Sequence, residues 1–427
     1  MNKLISVFLN RAFFWVNTTQ FLDTFNNNFF RTALTSFIMF ETISLSKDSK
    51  ALIAAIAVGL LMLPAFLFSA LAGEIADKYP KDYFIKILRF LQSIAIIFAC
   101  LGFALQNIPI LLLTLFLMGT FGSMLSPAKY SILPEILKEE DLLAANGFMQ
   151  AAVYISILGG TILGGIIFSL GKSWLFLILI AAATAATISS LFIPRQKAAS
   201  PQISIDINFL RSAFLNMRFA RSSREIFLCI LAISWFWFLG TILLSQMPAF
   251  AAHTLNGNDA VFTLFIVLFS GGVGIGSILC QMLLGGKISN KYAIISLFIA
   301  TLFLADLAYV ASTVPAAAAT TGLREFLFSF TGMRIAFDLL AFSLCGGVYV
   351  VPLTAMLQVL SGVGDRSRII AANNIINALF MVAGSGMCAA MLALQKSVPF
   401  IFGFSAALNT VAIIALYLMF KKKGNRA

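Results

Sequence analysis

The sequence carries very little charge for its length. Only 11% of its 427 residues are Asp, Glu, Lys or Arg, whereas soluble globular domains carry about 25%. Hydrophobic residues make up 60% of the chain, which is more apolar surface than a soluble fold of this length can bury. The composition therefore excludes an ordinary soluble protein and indicates an integral membrane protein.

Histidine and cysteine are also scarce. The single histidine, His253, falls in a predicted external loop, which excludes a histidine proton relay inside the membrane. The five cysteines all fall inside apolar segments and form no CxxC motif. That distribution is typical of small buried side chains and not of disulfides or metal ligands. We therefore predict neither a metal nor another cofactor.

Acidic residues are fewer than basic ones, 17 against 29, which leaves a net charge of +12. In a soluble chain this balance would suggest a nucleic-acid partner. Here the basic residues are concentrated in short loops, as the excess of Lys and Arg in cytoplasmic loops of membrane proteins explains. We therefore predict no nucleic-acid partner, and we place both termini in the cytoplasm.

Long apolar runs are abundant, and about twelve of them could cross a bilayer. The longest polar stretch divides six from six, which predicts an all-α membrane protein with halves at 1–193 and 226–427 and a cytoplasmic loop at 194–225. Within that loop, 209–219 is expected to form a basic amphipathic helix on the membrane surface. The predicted spans are 12–38, 51–73, 84–105, 108–128, 142–170, 173–193, 226–251, 260–284, 292–313, 332–357, 369–394 and 398–420.

The two halves share short motifs in the same order. LAGEIADKY at 71–79 matches LGGKISNKY at 284–292, and each lies between the second and third spans of its half. FFW at 13–15 corresponds in the same way to WFW at 235–237. Matches at nearly one offset indicate an internal repeat of six spans, which is the layout of major facilitator transporters.

The loop after the second span resembles the superfamily signature G-x-x-x-D-[R/K]-x-G-[R/K]-[R/K]. Gly73, Asp77, Lys78 and Lys81 match it, while Pro80 replaces the second glycine. The resemblance implies a gate. An aspartate beside a helix N-terminus and a cation makes a charge-assisted contact that must break on opening. An ordinary polar loop is the alternative.

The first predicted span carries charge and amides inside its apolar run. Asp23, Asn27 and Arg31 share one face of a helix, flanked by Asn26 and Asn28. Ionisable groups at membrane depth usually face a polar cavity or each other. Asp23 and Arg31 are about 12 Å apart along the axis, so Asn27 is expected to bridge them. The stripe predicts a substrate cavity, and an interhelical hydrogen-bond seam is the alternative.

Further polar side chains complete the predicted substrate site. Pro127 is expected to break or kink the fourth span. Lys129 and Tyr130 follow it, where a lysine can meet an anionic head group or anchor the helix end. The remaining candidates are Asn146, Gln150, Trp237, Gln246, Asn373 and Asn377.

Three carboxylates at membrane depth are candidates for coupling transport to protons, namely Asp23, Asp306 and Asp338. Arg334 lies four residues before Asp338, so those two are expected to form an ion pair. Asp306 has no partner nearby in sequence, and a hydrogen bond across helices is its alternative role.

Together these motifs resemble the lysophospholipid transporter family of bacterial inner membranes. The strings that carry the resemblance are QFLDTFNNNFFRTAL, SPAKYSILPE, ANGFMQAAVYISILGGTILGG, SWFWFLG and VVPLTAMLQ…AANNIINALFMV. The resemblance implies a transporter and not an enzyme. Such a carrier returns lysophospholipid from the outer to the inner leaflet by alternating access, and a separate acyltransferase reacylates it. Standalone members have Gly-Asp-Asn where this chain has three asparagines, so Asp23, one turn earlier, is the expected substitute.

Two alternatives stay open on the sequence. One is a carrier of the same fold for a small water-soluble solute, such as a drug, sugar or amino acid derivative. The other is a non-transporting membrane component that recruits an acyltransferase. Export of a soluble compound independently of lipid would favour the first, and transport by the purified chain alone would exclude the second.

Overall fold

The computed structural model describes residues 2–42, 46–206, 208–289, 291–314 and 320–421, and these residues are mostly helical. The C-terminal basic run at 422–427, which the sequence predicts to be cytoplasmic, lies outside them. The α-helices within the described ranges are α1 Asn2–Leu9, α2 Arg11–Ser36, α3 Lys47–Lys78, α4 Lys81–Ala104, α5 Ile108–Ser131, α6 Leu133–Ile136, α7 Leu142–Leu170, α8 Lys172–Leu191, α9 Phe209–Ser222, α10 Arg224–Ala249, α11 Asp259–Leu284, α12 Lys291–Thr313, α13 Leu323–Phe328, α14 Phe330–Leu360, α15 Arg366–Ala393 and α16 Val398–Lys421.

The predicted spans all correspond to long helices. Within the described ranges, ten helices are long and apolar enough to cross a membrane. The other two that match predicted spans are α2 and α3. Charged and amide side chains interrupt the apolar sequence of α2, which is consistent with a helix that turns a polar stripe away from lipid.

Local capping sets where several helices begin. Asn10 starts α2, because its Oδ1 accepts hydrogen bonds from the backbone N–H groups of Ala12 at 3.0 Å and Phe13 at 3.1 Å. Pro127 does not end α5, which continues to Ser131. Of the break or kink predicted at this proline, the break is excluded, because a proline inside a membrane helix is tolerated where neighbouring groups satisfy the freed backbone. The kink stays a prediction.

The chain divides into two compact units. The first comprises Met1–Ala145, Ile155–Ser223 and Gln358–Ile375, and the second comprises Asn146–Tyr154, Arg224–Leu357 and Ile376–Ala427. In the first unit α3 and α4 pack on α5, while α2 and α4 pack on α8. In the second unit α12 and α10 pack on α16. The sequence division at 193 and 226 stays a prediction.

Glycines bring α7 directly against α2 in the first unit. A Cβ atom on Gly160 would lie 2.5 Å from the carbonyl oxygen of Phe25, and one on Gly164 would lie 2.7 Å from that of Phe29. Real Cβ atoms do not approach so closely, so only glycine permits this contact. Small residues four apart are typical of closely packed membrane helices.

Candidate functional site

Asp23 lies at the centre of a buried polar network in the first unit. Its Oδ1 accepts from Arg89 Nη1 at 2.6 Å, Gln92 Nε2 at 2.8 Å and Asn27 Nδ2 at 3.2 Å. Asp23 is 4% exposed and Arg89 is 1% exposed. Such a pair persists at membrane depth because each charge neutralises the other and further hydrogen bonds satisfy the carboxylate.

Arg89 is not among the site residues predicted from the sequence. The available signal was its i, i+3 spacing with Gln92, two polar residues on one face of the third predicted span. Both side chains come from α4, whereas Asp23 and Asn27 come from α2. The network therefore joins two neighbouring helices of the same unit, which matches the hydrogen-bond seam that the sequence left as an alternative.

The predicted stripe on α2 divides between two environments. Asn27 belongs to the buried network, because its Oδ1 also accepts from Gln92 Nε2 at 3.0 Å. Arg31 is exposed, and its Nη2 donates to Asn28 Oδ1 at 3.0 Å. The predicted bridge from Asp23 through Asn27 to Arg31 is therefore wrong at its second step, since Asn28 is the partner of Arg31.

Asn26 has a structural role that the sequence did not distinguish. It is buried, and its Nδ2 donates to the carbonyl oxygen of Leu179 on α8 at 3.3 Å. Thr19, two turns earlier, joins Ser189 of α8 through a 2.9 Å contact between their hydroxyl oxygens. Asn26 thus helps to hold α2 on α8, and the exposed polar part of α2 starts at Asn28.

Lys129 is half-buried beside the network and is not a simple helix-end anchor. Its Nζ lies 5.4 Å from the ring centroid of Tyr130. Its charge is close enough to those of Asp23 and Arg89 to interact with both. The carbonyl oxygen of Tyr130 accepts from Gln358 Nε2 at 3.1 Å. The end of α5 is thereby fixed within the first unit.

Asp77 caps the N-terminus of α15. Its Oδ1 accepts from the backbone N–H of Ser367 at 3.1 Å, and its Oδ2 accepts from the backbone N–H of Arg368 at 3.2 Å and from Arg368 Nε at 3.4 Å. The signature motif predicts this contact of a carboxylate with a helix N-terminus and a cation. Asp77 follows the predicted second span. Burial raises the pKa of its carboxyl group. The hydrogen bonds from Ser367 and Arg368 and the positive charge of Lys81 oppose this rise.

Gly73 and Lys81 complete this junction. A Cβ on Gly73 would lie 2.8 Å from Ala371 Cβ, so α3 and α15 cross with almost no space between them. Lys81 is fully buried and its Nζ is 2.6 Å from Glu135 Oε1. Lys78 instead lies over the ring of Tyr79, with its Nζ 6.0 Å from the centroid.

The second unit contains a separate charged cluster. Arg334 donates from Nε to Asp306 Oδ2 at 2.8 Å and from Nη2 to Asp306 Oδ1 at 2.5 Å. The predicted Arg334–Asp338 pair named the wrong partner, because α12 presents a carboxylate that meets both guanidinium nitrogens. Asp338 is buried, and its Oδ2 has no hydrogen-bond partner in the part of the chain that the structure describes.

Four of the predicted amides have a buried polar atom left without a hydrogen-bond partner among the residues described. These atoms are Asn26 Oδ1 and Asn373 Oδ1 in the first unit and Gln150 Nε2 and Gln246 Oε1 in the second. Because buried polar atoms are normally paired, all four stay candidates for contact with a polar ligand.

Two other candidates of the second unit have contacts within it. Asn377 Oδ1 accepts from Ser234 Oγ at 2.7 Å, which joins α15 to α10. Trp237 is half-buried, and its ring meets that of Phe236 edge to face at 5.6 Å. Asn146 is buried and stays a candidate for the substrate site.

The sequence profile of the Major Facilitator Superfamily matches residues 16–384. The chain belongs to the major facilitator superfamily. It is a membrane transporter by family and not an enzyme, as the motifs predict.

The resemblance to lysophospholipid transporters is also confirmed. A Serratia proteamaculans protein named lysophospholipid transporter LplT is 27% identical over 368 residues, covering 83% of this chain and 81% of that protein. A protein of the same name from Escherichia coli O157:H7 is 27% identical over 419 residues, covering 94% of both chains.

Solved structures of the superfamily share the fold. The human organic anion transporter MFSD10 has a TM-score of 0.74 at 13% identity, covering 95% of this chain and 99% of that one. A bacterial homologue of the iron transporter ferroportin, in an outward-facing state, has a TM-score of 0.69 at 17% identity, with 96% and 100% covered. At these identities the likeness concerns the fold alone.

In this major facilitator transporter, the charges on α2, α4 and the end of α5 leave a positive balance in the first unit. Asp23 and Arg89 neutralise each other, whereas Arg31 and Lys129 add two positive charges. An exposed guanidinium on a predicted membrane span is suited to attract an anionic group.

Proposed function

We propose that this chain is a lysophospholipid transporter of a bacterial inner membrane. It moves lysophospholipid from the outer to the inner leaflet by alternating access, and a separate acyltransferase reacylates the product. Both termini lie in the cytoplasm. The similarity to proteins named lysophospholipid transporter, over nearly the whole chain, supports this substrate class above others.

The observation that carries the proposal is the exposed Arg31 in the C-terminal third of α2. A lysophospholipid head group carries a phosphodiester anion, which a guanidinium binds through two parallel hydrogen bonds. Asn28 orients this guanidinium through the 3.0 Å bond to its Nη2. Lys129 contributes a second positive charge in the same unit, and Arg89 neutralises Asp23, which would otherwise repel the phosphate.

A small cavity in the second unit has an apolar lining that suits a hydrocarbon group. Its walls are mostly aromatic and aliphatic side chains, including Phe236, Leu239, Phe269, Val273 and Phe342. Such a lining offers favourable contacts to the apolar part of a substrate and few to a sugar or amino acid derivative.

The Asp77 junction supplies the gate for alternating access. Asp77, Ser367 and Arg368 join α3 to the start of α15 through charge-assisted contacts, and these contacts must break for the two helices to separate. Gly73 makes the closed arrangement compact. The gate is thus a cluster of reversible polar contacts on the predicted cytoplasmic side.

Uptake of labelled lysophosphatidylethanolamine into spheroplasts tests the proposal. Cells with the chain should accumulate the lipid, and Arg31→Gln should lower the initial rate by about tenfold, because one charge-assisted contact to phosphate contributes about 1.5 kcal/mol or more. Arg324→Gln is the matched control, since Arg324 is exposed in a predicted external loop, and it should transport normally.

Two results would contradict the proposal. Absence of uptake by a chain shown to be folded in the membrane would leave the fold intact and favour a carrier of a water-soluble solute. Equal uptake by the wild type and Arg31→Gln would remove the head-group role of Arg31. Uptake by proteoliposomes that contain only this chain would exclude a purely recruiting role.

A further inference from the structure

The helix of the central loop, α9, turns its small and polar side chains inward. Ser212, Asn216 and Ala220 lie at i, i+4 and i+8, and all three are buried. Ser212 Oγ donates to Glu74 Oε1 at 2.5 Å, and Asn216 Nδ2 donates to the carbonyl oxygen of Ala70 at 3.3 Å. A surface helix of a soluble protein has the opposite polarity, so the outer face of α9 is not suited to water.

The outer face of α9 combines apolar side chains with positive charge. Leu210 is 68% exposed, Phe214 is 63% exposed and Leu215 is 43% exposed. The helix sequence FLRSAFLNMRFARS contains no acidic residue. Aromatic and aliphatic residues beside arginines are typical of helices that lie in the interface of a bilayer. The exposed arginines of α9 are Arg211, Arg218 and Arg221.

The contacts of α9 place it at the level of the membrane surface. It docks on α3 at Ala70 and Glu74, where the second predicted span, 51–73, leaves the membrane. The chain then enters the spanning helix α10 at Arg224, two residues after α9 ends at Ser222. The docking on α3 and the link to α10 together put the exposed face at the predicted depth of the lipid head groups.

The charge on α9 selects the kind of lipid. Arg211 makes one exposed ion pair, with its Nε 3.4 Å from Asp206 Oδ2, and exposed pairs of this kind contribute little. With three exposed arginines and no acidic residue, α9 itself carries a formal charge of +3. Juxtamembrane arginines are attracted to the anionic lipids of the adjacent leaflet.

We propose that the outer face of α9 binds anionic phospholipid head groups of the bilayer in which the chain is embedded. The surface comprises Leu210, Phe214 and Leu215, which enter the interface, and the exposed arginines Arg211, Arg218 and Arg221, which contact the phosphates. The inference does not depend on which solute the carrier moves.

Arg368 connects the proposed lipid-binding helix α9 to the Asp77 junction. The guanidinium carbon of Arg368 lies 5.2 Å from the ring centroid of Phe219 on α9, and Arg368 is the residue whose backbone and side chain bond Asp77. Anionic lipid that fixes α9 therefore also stabilises the start of α15.

Hydrogen–deuterium exchange of the full chain in nanodiscs tests this proposal. Nanodiscs of phosphatidylcholine are compared with nanodiscs that also contain phosphatidylglycerol. Phosphatidylglycerol should slow exchange of the 209–222 amides by at least about fivefold, the contribution of one arginine near an anionic surface. The slowing should vanish in R211Q/R218Q/R221Q, persist in R211K/R218K/R221K, and persist in the control R324Q.

Three outcomes would overturn the proposal. The first is equal exchange of 209–222 in the two lipids for the wild-type chain. The second is a phosphatidylglycerol effect that survives in the glutamine variant, provided that α4 and α8 exchange as in the wild type. The third is protection that rises with protein concentration and ignores lipid charge, which would identify a second copy of the chain as the occupant.

Discussion

At the scale of single residues, Asp23 and Arg89 form a deeply buried ion pair in the first unit. Removing one partner leaves the other charge buried, which costs about 3 to 5 kcal/mol. We therefore expect Arg89→Gln to lower the thermal midpoint of the detergent-solubilised chain clearly. Asp23→Asn should do the same, because it leaves Arg89 unpaired.

The double variant with Asp23→Asn and Arg89→Gln provides the control. It removes both charges at once, so it should recover part of the loss seen in either single variant. Arg31→Gln should change the midpoint little, because Arg31 is exposed. Tryptophan fluorescence on heating measures all four variants. Equal losses for Arg31→Gln and Arg89→Gln would show that the exposed half of the stripe is also structural.

These residues show what local spacing can and cannot predict. The shared face of Asp23, Asn27 and Arg31 follows from helical periodicity. Their partners do not, because Arg89 lies on another helix. For the same reason, the predicted partner of Arg334 is wrong. An i, i+4 carboxylate is available at Asp338, yet α12 supplies Asp306 in bidentate geometry.

At the scale of elements, the crossing of α3 and α15 depends on Gly73. A Cβ there would lie 2.8 Å from Ala371 Cβ and 3.0 Å from Arg368 Cα, so backbone must move. We expect Gly73→Ala to weaken the Asp77 contacts and to speed deuterium exchange at the start of α15, 366–371, by severalfold. Gly59→Ala is the matched control on α3, since no atom lies within 4 Å of its added Cβ.

The result for Gly73→Ala separates two roles for the signature loop. Faster exchange at 366–371 with unchanged exchange in Gly59→Ala would support a junction that depends on close approach. Unchanged exchange in both variants would show that the contact tolerates a methyl group and that Gly73 does not set the gate. Faster exchange across the whole first unit would point to general destabilisation instead.

Element positions were mostly predictable, because hydropathy reports the length of apolar chain that a bilayer requires. The helix at 209–219 was also predicted, and the structure extends it to Ser222. Which face of it docks was not predictable, since that depends on Glu74 and Ala70 of α3. The choice between a break and a kink at Pro127 was not predictable for a similar reason, because the consequence of a proline depends on the helices around it.

At the scale of the whole molecule, the distribution of Lys and Arg predicts the orientation in the membrane. Five of the 29 basic residues fall in predicted external loops, and these are Lys47, Lys50, Lys172, Arg324 and Lys396. Arg89 lies inside the predicted span 84–105 and belongs to the buried network, so it does not affect the bias between the loops. Both termini are therefore expected in the cytoplasm.

Reporter fusions check this orientation. Green fluorescent protein fused after residue 427 should fluoresce, because it folds in the cytoplasm, and alkaline phosphatase fused there should be inactive. After Lys396, in the loop before α16, the two reporters should behave in the opposite way. The reverse pattern at both sites would show that the orientation in the membrane is opposite to the predicted one. It would also place α9 and the Asp77 junction outside, where the excess of anionic lipid in the cytoplasmic leaflet could not act on the arginines of α9.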